Sequence, residues 1–338
     1  MTASDALRNL RIRRSTDLMD VIDRAGPARS PDFFAVGAEK CGTTWLWEMF
    51  ADHPEIGVPF PKELRYFARM FLGTELDNYR AVSSLLRDSD AVPTTRAFLK
   101  RLATELRVIY GTDQAYLRVF GALKGRAVGE ISPQYCLLPE QGVRRMHALA
   151  PEARILFLIR DPVDRAISGA RMKEGEKGDD ATRAGIRNRA LHPFQLSMSC
   201  YSDPLDLYES VFGADRIFVG FMEDIATRPF ELLQDICQFL GVDCQPDYFT
   251  RLKQVSNKGN GLAVDEDLAP DIFLALEGEY DRLAVRFPDR VNAWRARHAD
   301  HVARRRDELA KAAAMREADL PEIAPQTLPN QRRYPWSR

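Results

Sequence analysis

A short segment near the start of the chain combines glycines, a lysine and two hydroxyl side chains in a pattern that could bind phosphate. It reads Gly37-Ala38-Glu39-Lys40-Cys41-Gly42-Thr43-Thr44 and follows the apolar run 33–36. This order predicts a buried strand, then a glycine-bounded loop, then a helix that Thr43 and Thr44 open and that ends at Asp52. Backbone N–H groups at such a helix N-terminus point into the loop, and the helix dipole favours an anion there.

The two glycines of this loop have nearly the spacing of the Walker A pattern, G-x-x-x-x-G-K-[ST]. Thr43 occupies the position of that pattern's lysine, whereas the lysine of this chain lies within the loop, at Lys40. An ordinary ATP site is therefore disfavoured. Gly37 and Gly42 alone would fit a simple turn before a helix, but the complete Lys-Cys-Gly-Thr-Thr after an apolar strand favours an anion site.

A second cationic group follows the most apolar strand of the chain, residues 154–159. Such a strand suits a central position in a parallel sheet, buried on both faces. Arg160 comes directly after it, at the strand edge where α/β proteins bind ligands. Pro162 can begin a helix at its first position, and Ser168 lies two turns into that helix. An isolated Arg-Asp-Pro would be only a strand-to-helix turn with a local ion pair.

Three segments resemble the sulfotransferases that use 3′-phosphoadenosine 5′-phosphosulfate (PAPS) as sulfuryl donor, and the motifs are most similar to the glycan type and its bacterial relatives. Residues 37–44 resemble their 5′-phosphosulfate loop, and Arg160 to Ser168 resembles their 3′-phosphate motif. Residues 129–135, Gly-Glu-Ile-Ser-Pro-Gln-Tyr, resemble their Gly-Glu-x-Ser-Pro-x-Tyr segment. The resemblance covers about residues 31–262.

The resemblance implies roles for particular residues. Glu63, which ends a loop braced by two prolines, occupies the position of the general base in the glycan-type enzymes. Lys40 is the implied catalytic cation. The implied contacts to PAPS, or to its product PAP, come from Lys40, Cys41, Gly42, Thr43, Thr44, Trp45, Arg160, Ser168, Lys258 and Gly259. No metal is expected.

Several of these assignments have alternatives in the sequence. Trp45 could stack on adenine or pack in the core, and Lys258-Gly259 could close over the 3′-phosphate or form a surface turn. His192 is the main rival of Glu63 as base. The polar stretch 171–195 predicts a solvated, mobile loop that could also act as a lid. Ile131 stands where several glycan-type members have a lysine, so a glycosaminoglycan acceptor does not follow.

Composition and patterning set the fold expected for the chain. It has 338 residues, 45% of them hydrophobic and 29% charged. Short apolar strands alternate with helical stretches, which predicts a three-layer α/β/α fold with a central parallel sheet, similar to P-loop nucleotide kinases. The strands are expected near 32–36, 126–130, 154–159 and 216–221. We expect an N-terminal helical extension over 1–30, a sulfotransferase domain over 31–262, and a C-terminal helical extension and tail over 263–338.

The overall charge and the termini limit the partners and the location. The net charge of −1 gives no basic field for nucleic acid. The N-terminus lacks an apolar signal segment, and the run 155–159 is too short to cross a membrane. The five cysteines are few and scattered, which favours free thiols in a reducing compartment. These observations predict a cytoplasmic protein without a membrane span. They leave the oligomeric state open.

The sequence therefore predicts a transferase that moves a sulfuryl group from PAPS to a hydroxyl or amine of a small-molecule, glycan or natural-product acceptor. Two other functions remain possible for the same pattern. A P-loop kinase would share the fold but should need magnesium and the Walker lysine, which Thr43 replaces. A non-catalytic nucleotide-binding protein would not need Lys40, Glu63, Arg160 and Ser168 together.

Overall fold

The structure, a computed structural model, describes residues 27–59, 62–73, 112–249, 252 and 261–318. Part of the predicted N-terminal helical extension, the pair Lys258-Gly259 and the tail 319–338 lie outside these residues. The same holds for residues 74–111. None of the described helices has both the length and the apolar character needed to cross a bilayer.

The described residues form a five-stranded sheet in which every pairing is parallel. Its strands are β1 (Phe33–Gly37), β2 (Ile56–Gly57), β3 (Ala127–Ile131), β4 (Arg154–Ile159) and β5 (Ile217–Phe221), in the order β2-β3-β1-β4-β5. All four strands expected from the sequence are present within one or two residues. The predicted α/β fold with a central parallel sheet is confirmed, and β2 joins that sheet at one edge.

Helices flank the sheet and supply the rest of the core. They are α1 (Thr43–Asp52), α2 (Tyr66–Leu72), α3 (Asp113–Ala122), α4 (Glu140–Leu149), α5 (Pro162–Gly175), α6 (Arg183–Ala190), α7 (Pro193–Ser197), α8 (Ser202–Phe212), α9 (Met222–Thr227), α10 (Pro229–Leu240), α11 (Leu268–Ala275), α12 (Glu277–Arg286) and α13 (Pro288–Ala318). Several boundaries agree with sequence chemistry. Pro162 is the first residue of α5, and Gly241 ends α10 in the left-handed conformation, with φ of 73°.

Burial explains why β1 is central. All five of its residues are buried, as are all five of β3 and five of the six in β4. A parallel strand covered on both faces needs such a run of apolar side chains. The edge strand β5 is only partly buried. Because β1 lies between β3 and β4, the loop after β1 has the carboxyl ends of both neighbours beside it.

The prediction of a mobile loop over 171–195 is wrong for most of these residues, which are helical. Helix α5 continues to Gly175, and α6 and α7 fill most of the remainder and pack against α5. The polar composition misled the prediction because its charges pair with one another: Lys177 and Arg189 both donate to the fully buried Glu174 carboxylate. Ile186, which is 1% exposed, provides apolar burial within α6.

Candidate active site

The loop after β1 has the backbone geometry of an anion cradle. Gly42 precedes α1 with φ of 87°, a conformation that favours glycine, and a Cβ there would come within 2.2 Å of Ile225. The Ala38 N–H donates to the Leu158 carbonyl at 2.6 Å, which ties the loop to the end of β4. The first N–H groups of a helix have no partner within it, so those at the start of α1 can face a ligand.

Lys40 extends from this loop in a half-buried position. Its Nζ lies 3.5 Å from the Met172 sulfur on α5. Burial lowers the pKa of Lys40; Glu39 opposes this shift, whereas the positive charge of Arg160 adds to it. The two cations that the sequence predicted for the two phosphate groups therefore lie close enough to influence each other.

A second lysine reaches the same loop from the segment after β2. The Nζ of Lys62 lies 3.5 Å from the Thr43 hydroxyl and 3.4 Å from the Thr44 hydroxyl, and it also lies 3.7 Å from Oε1 of Glu63. The Lys62 side chain is only 14% exposed. The sequence motifs gave Lys62 no role in the site. The only sequence signal for Lys62 was its position next to Glu63. Side-chain direction cannot be predicted in an irregular loop, because such a loop has no helical or strand periodicity.

Glu63 is fixed next to the loop by its own neighbours. The Nε of Arg65 donates to Oε2 of Glu63 at 2.8 Å. The backbone N–H of Arg65 in turn donates to the Ser132 hydroxyl at 3.1 Å, just after β3. The predicted base is therefore anchored to the end of β3 on one side and contacts the loop through Lys62 on the other.

A second, fully buried carboxylate, Glu130, contacts the same Ser132 hydroxyl that anchors Arg65. It accepts hydrogen bonds from the hydroxyls of Tyr116 at 2.5 Å, Tyr135 at 2.7 Å and Ser132 at 2.9 Å. Burial raises the pKa of Glu130 to about 7; the three hydroxyl donors oppose that shift, and the charge of Glu63 adds to it. Sequence analysis recognised this segment but gave Glu130 no role.

Arg160 lies on the other side of the loop, at the end of β4. Its Nη2 is 3.9 Å from Oδ2 of Asp164, a long separation for an ion pair, and its side chain is 24% exposed. Ser168 follows Asp164 by four residues on α5, so the two side chains lie on the same helix face. Arg160 thus lies on the β4 side of the loop and Ser168 lies on the helix that follows; their contact with a 3′-phosphate stays a prediction.

Cys41 in the loop and Trp45 in α1 both have side chains directed into the core. Trp45 is 3% exposed, and its indole N–H donates to the Leu252 carbonyl at 3.4 Å, which supports core packing over stacking on adenine. The Cys41 sulfur lies 3.8 Å from the Tyr201 hydroxyl, and burial raises the pKa of Cys41 to about 11. A reactive thiol at this helix N-terminus is therefore disfavoured. Because its sulfur is buried, Cys41 can contact a ligand in the loop only through its backbone.

The rival base His192 has a local structural contact. Its Nδ1 accepts a hydrogen bond from the Phe194 N–H at 3.2 Å, and it caps the short helix α7 at an exposed position. This geometry favours Glu63 over His192. All five cysteines are free, and no group of His, Cys, Asp and Glu side chains among the described residues could hold a metal ion.

The groups around the loop fit a bound phosphosulfate. Lys40, Lys62, the two threonine hydroxyls and the start of α1 are all donors, and donors are what an anion requires. A Cβ at Gly42 would clash with the Ile225 side chain, so packing as well as the positive φ requires glycine at this end of the loop. The chemistry of this donor set thus suits the 5′ group of PAPS.

Comparison with known proteins identifies the family of the chain. A family model described as the sulfotransferase family matches residues 31–246. The chain belongs to the sulfotransferase family. Among solved structures, this family member is similar to a sulfotransferase from Alicyclobacillus acidocaldarius, with a TM-score of 0.54, 24% identity, and coverage of 78% of this chain and 98% of that one. That likeness supports the same fold.

Curated relatives of this sulfotransferase are longer proteins. The bifunctional heparan sulfate N-deacetylase/N-sulfotransferase 1 of Mus musculus is 23% identical over 243 residues, which cover 68% of this chain and 24% of the mouse protein. Carbohydrate sulfotransferase 15 of Rattus norvegicus is 22% identical over 252 residues, covering 63% and 44%. The chain therefore spans between about a quarter and somewhat under half of the length of these relatives.

Proposed function

We propose that this sulfotransferase moves a sulfuryl group from PAPS to a hydroxyl or amine of a small-molecule, glycan or natural-product acceptor, with Glu63 as general base and no metal. The observation that carries the proposal is the position of Lys62. Its ammonium group contacts Thr43 and Thr44 on the anion loop and also Glu63. A carboxylate that can take a proton thus lies one side chain away from the groups that bind phosphate.

The donor brings a sulfuryl group bonded to a nucleotide phosphate, a good leaving group. Thr43, Thr44 and the N–H groups at the start of α1 bind the 5′-phosphate. Arg160 and Ser168, on the other side of the loop, bind the 3′-phosphate. Lys258 and Gly259 could complete that site, as the sequence motif predicts, although they lie outside the described residues.

Glu63 removes the proton from the acceptor hydroxyl or amine as that atom bonds to sulfur. The bond between sulfur and the bridging oxygen breaks, and the electron pair stays on the oxygen of the departing nucleotide. Lys40 and Lys62 stabilise this developing negative charge, because fixed positive groups in a partly buried site act more strongly than in water. These protein cations supply the charge that many phosphoryl-transfer enzymes take from a metal ion.

The acceptor class is proposed more broadly than the names of the relatives suggest. The mouse and rat relatives are named for heparan sulfate and carbohydrate. This chain has Ile131, which is 2% exposed, where several glycan-type members have a lysine. The proposal therefore includes uncharged acceptors. The predicted domain boundaries and the cytoplasmic location stay predictions.

Two measurements test the function. Isothermal titration with PAP, with AMP and with ATP plus magnesium should give tight binding for PAP only. Transfer of labelled sulfate from PAPS should then be followed on a panel of sugars, phenols and amines. Binding of ATP–magnesium without PAP would favour a kinase, and binding of PAP without transfer to any acceptor or cell extract would favour a non-catalytic nucleotide-binding protein.

A further inference from the structure

The carboxylate of Asp161 is an unusually well-connected group next to the proposed 3′-phosphate site. It is fully buried. Its Oδ1 accepts hydrogen bonds from the Val163 N–H at 3.0 Å and the Tyr280 hydroxyl at 2.6 Å. Its Oδ2 accepts from Nη2 of Arg297 at 2.7 Å and from Nε2 of His298 at 3.0 Å. Three of these four donors belong to α12 and α13, which follow the region matched by the family model.

Arg297 contacts a second carboxylate in the same place. Its Nη1 lies 3.3 Å from Oδ2 of Asp164, the atom that lies 3.9 Å from Nη2 of Arg160. Asp164 is thus shared between two guanidinium groups, and the arginine of α13 is the closer one. Arg160 is left with a long, weak contact, although its backbone is adjacent to the tightly bound Asp161.

Helix α13 is fixed at this position by contacts one and two turns earlier. The indole N–H of Trp294 donates to Glu223 at 2.9 Å, and Arg290 donates to Asp224 at 2.8 Å. Both acidic residues lie in the first turn of α9, the helix that follows β5. Because the helix is tied to the end of β5 as well as to the residue after β4, the position of Arg297 is fixed relative to the carboxyl edge of the sheet.

We propose that Arg297 is a positioning residue for the 3′-phosphate arginine, an inference that rests on the proposed function. Asp161 and Asp164 would together repel a phosphate and attract Arg160. Arg297 neutralises them, with help from the Tyr280 and His298 donors at Asp161. The guanidinium of Arg160 is then available to an external phosphate. The C-terminal helix thereby contributes to selectivity for a nucleotide that carries a 3′-phosphate.

The test compares two nucleotides that differ only in that phosphate, PAP and AMP, by isothermal titration of the full chain. Arg297→Gln should weaken PAP binding roughly three- to tenfold, since one half-exposed charged contact is lost, and should leave AMP binding nearly unchanged. Arg297→Lys should restore part of the loss. Arg295→Gln is the matched control, because Arg295 lies on the same helix and pairs with Asp281 at the surface.

A double-mutant cycle shows whether Arg297 affects PAP binding through Arg160. If Arg297 acts through Arg160, then Arg297→Gln should have almost no effect on PAP affinity in an Arg160→Ala background. An equal loss in both backgrounds would overturn the positioning role, and so would equal losses for PAP and AMP. Should Arg297→Gln fold poorly, Tyr280→Phe removes another donor to Asp161 and should reduce the ratio of PAP to AMP affinity.

The failure of this inference can be told apart from failure of the proposed function. A wild-type chain that does not bind PAP overturns both. Wild-type binding of PAP together with an Arg297→Gln variant that matches Arg295→Gln overturns only the role of Arg297.

Discussion

The Lys62 ammonium lies 3.4 Å from the Thr44 hydroxyl, although the two residues are 18 positions apart and belong to different elements. Thr44 opens the helix after β1, whereas Lys62 belongs to the loop after β2. Because β3 separates β2 from β1 in the sheet, the loop after β2 must cross the end of β3 to make this contact. That crossing also carries Glu63 to the anion loop.

Removal of the Lys62 charge should weaken the binding of every nucleotide that has a 5′-phosphate. We expect Lys62→Met to reduce PAP and AMP affinity by the same factor, about tenfold, as is typical of one charge-assisted hydrogen bond. Titration of both ligands checks this. Lys173→Met is the control, since Lys173 is an exposed partner of Glu176. Affinities equal to those of the control would show that Lys62 does not contact the 5′ group.

Removal of the Arg160 charge should have the opposite selectivity. Arg160→Ala should weaken PAP binding by about 10- to 100-fold and AMP binding by much less, because only PAP carries the 3′-phosphate. The exposed Arg144, which pairs with Glu140, provides the control variant Arg144→Ala. Equal losses for both nucleotides would mean that Arg160 does not read the 3′-phosphate.

Glu63→Gln tests the base while keeping the shape of the side chain. Donor affinity should change little, and turnover on a confirmed acceptor should fall by about 10²–10⁴-fold. The wild-type pH–rate profile should have a limb from the group that must lose its proton, and that limb should be absent in the variant. His192→Gln should have a small effect. Near-normal turnover of Glu63→Gln, combined with a large loss in His192→Gln, would reverse the assignment.

Ionisation of Glu130 should make the free energy of unfolding depend on pH. Its pKa is about 7 in the folded chain against an ordinary value of 4.5, so the folded state keeps the proton longer than the unfolded state does. The resulting stabilisation is complete below about pH 4.5 and is lost as the pH rises through about 7. Over this range the loss should reach about 3 kcal/mol relative to Glu130→Gln, which cannot ionise. Urea unfolding of both proteins at several pH values measures it; parallel curves would contradict the prediction.

Local pattern was sufficient for the elements that carry the site. The apolar runs before Gly37 and Arg160, and the helix starts at Thr43 and Pro162, are set by neighbouring residues, and the structure contains them as expected. The short strand β2 was not among the predicted strands, because two residues give no periodicity. Helices α6 and α7 were missed because their charges are satisfied by partners such as Glu174, which a composition-based reading does not reveal.

The contacts that assemble the site were harder to predict. Arg297 reaches Asp161 across 136 positions, and Arg65 reaches Ser132 across 67. Nothing in the local sequence marks either pair, since an arginine on a helix such as Arg297 is usually solvated, and Arg65 contacts Ser132 through its backbone N–H. Such pairs are fixed by the crossing of chain segments in three dimensions. The sequence motifs therefore predict phosphate sites at the ends of β1 and β4, but they do not predict the side chains that support these ends.

Because β1 is the central strand, the residues around the anion loop fall into two groups, one on the β4 side and one on the β3 side. Arg160, Asp164 and the helix α13 all lie on the β4 side of the anion loop, whereas Glu63 and Ser132 lie on the β3 side. The residues proposed for the 3′-phosphate thus lie across the anion loop from the proposed base. We therefore expect acceptor preference to be altered by mutagenesis on the β3 side without loss of the nucleotide, so that a library directed there could yield sulfotransferases for new acceptors from this one scaffold.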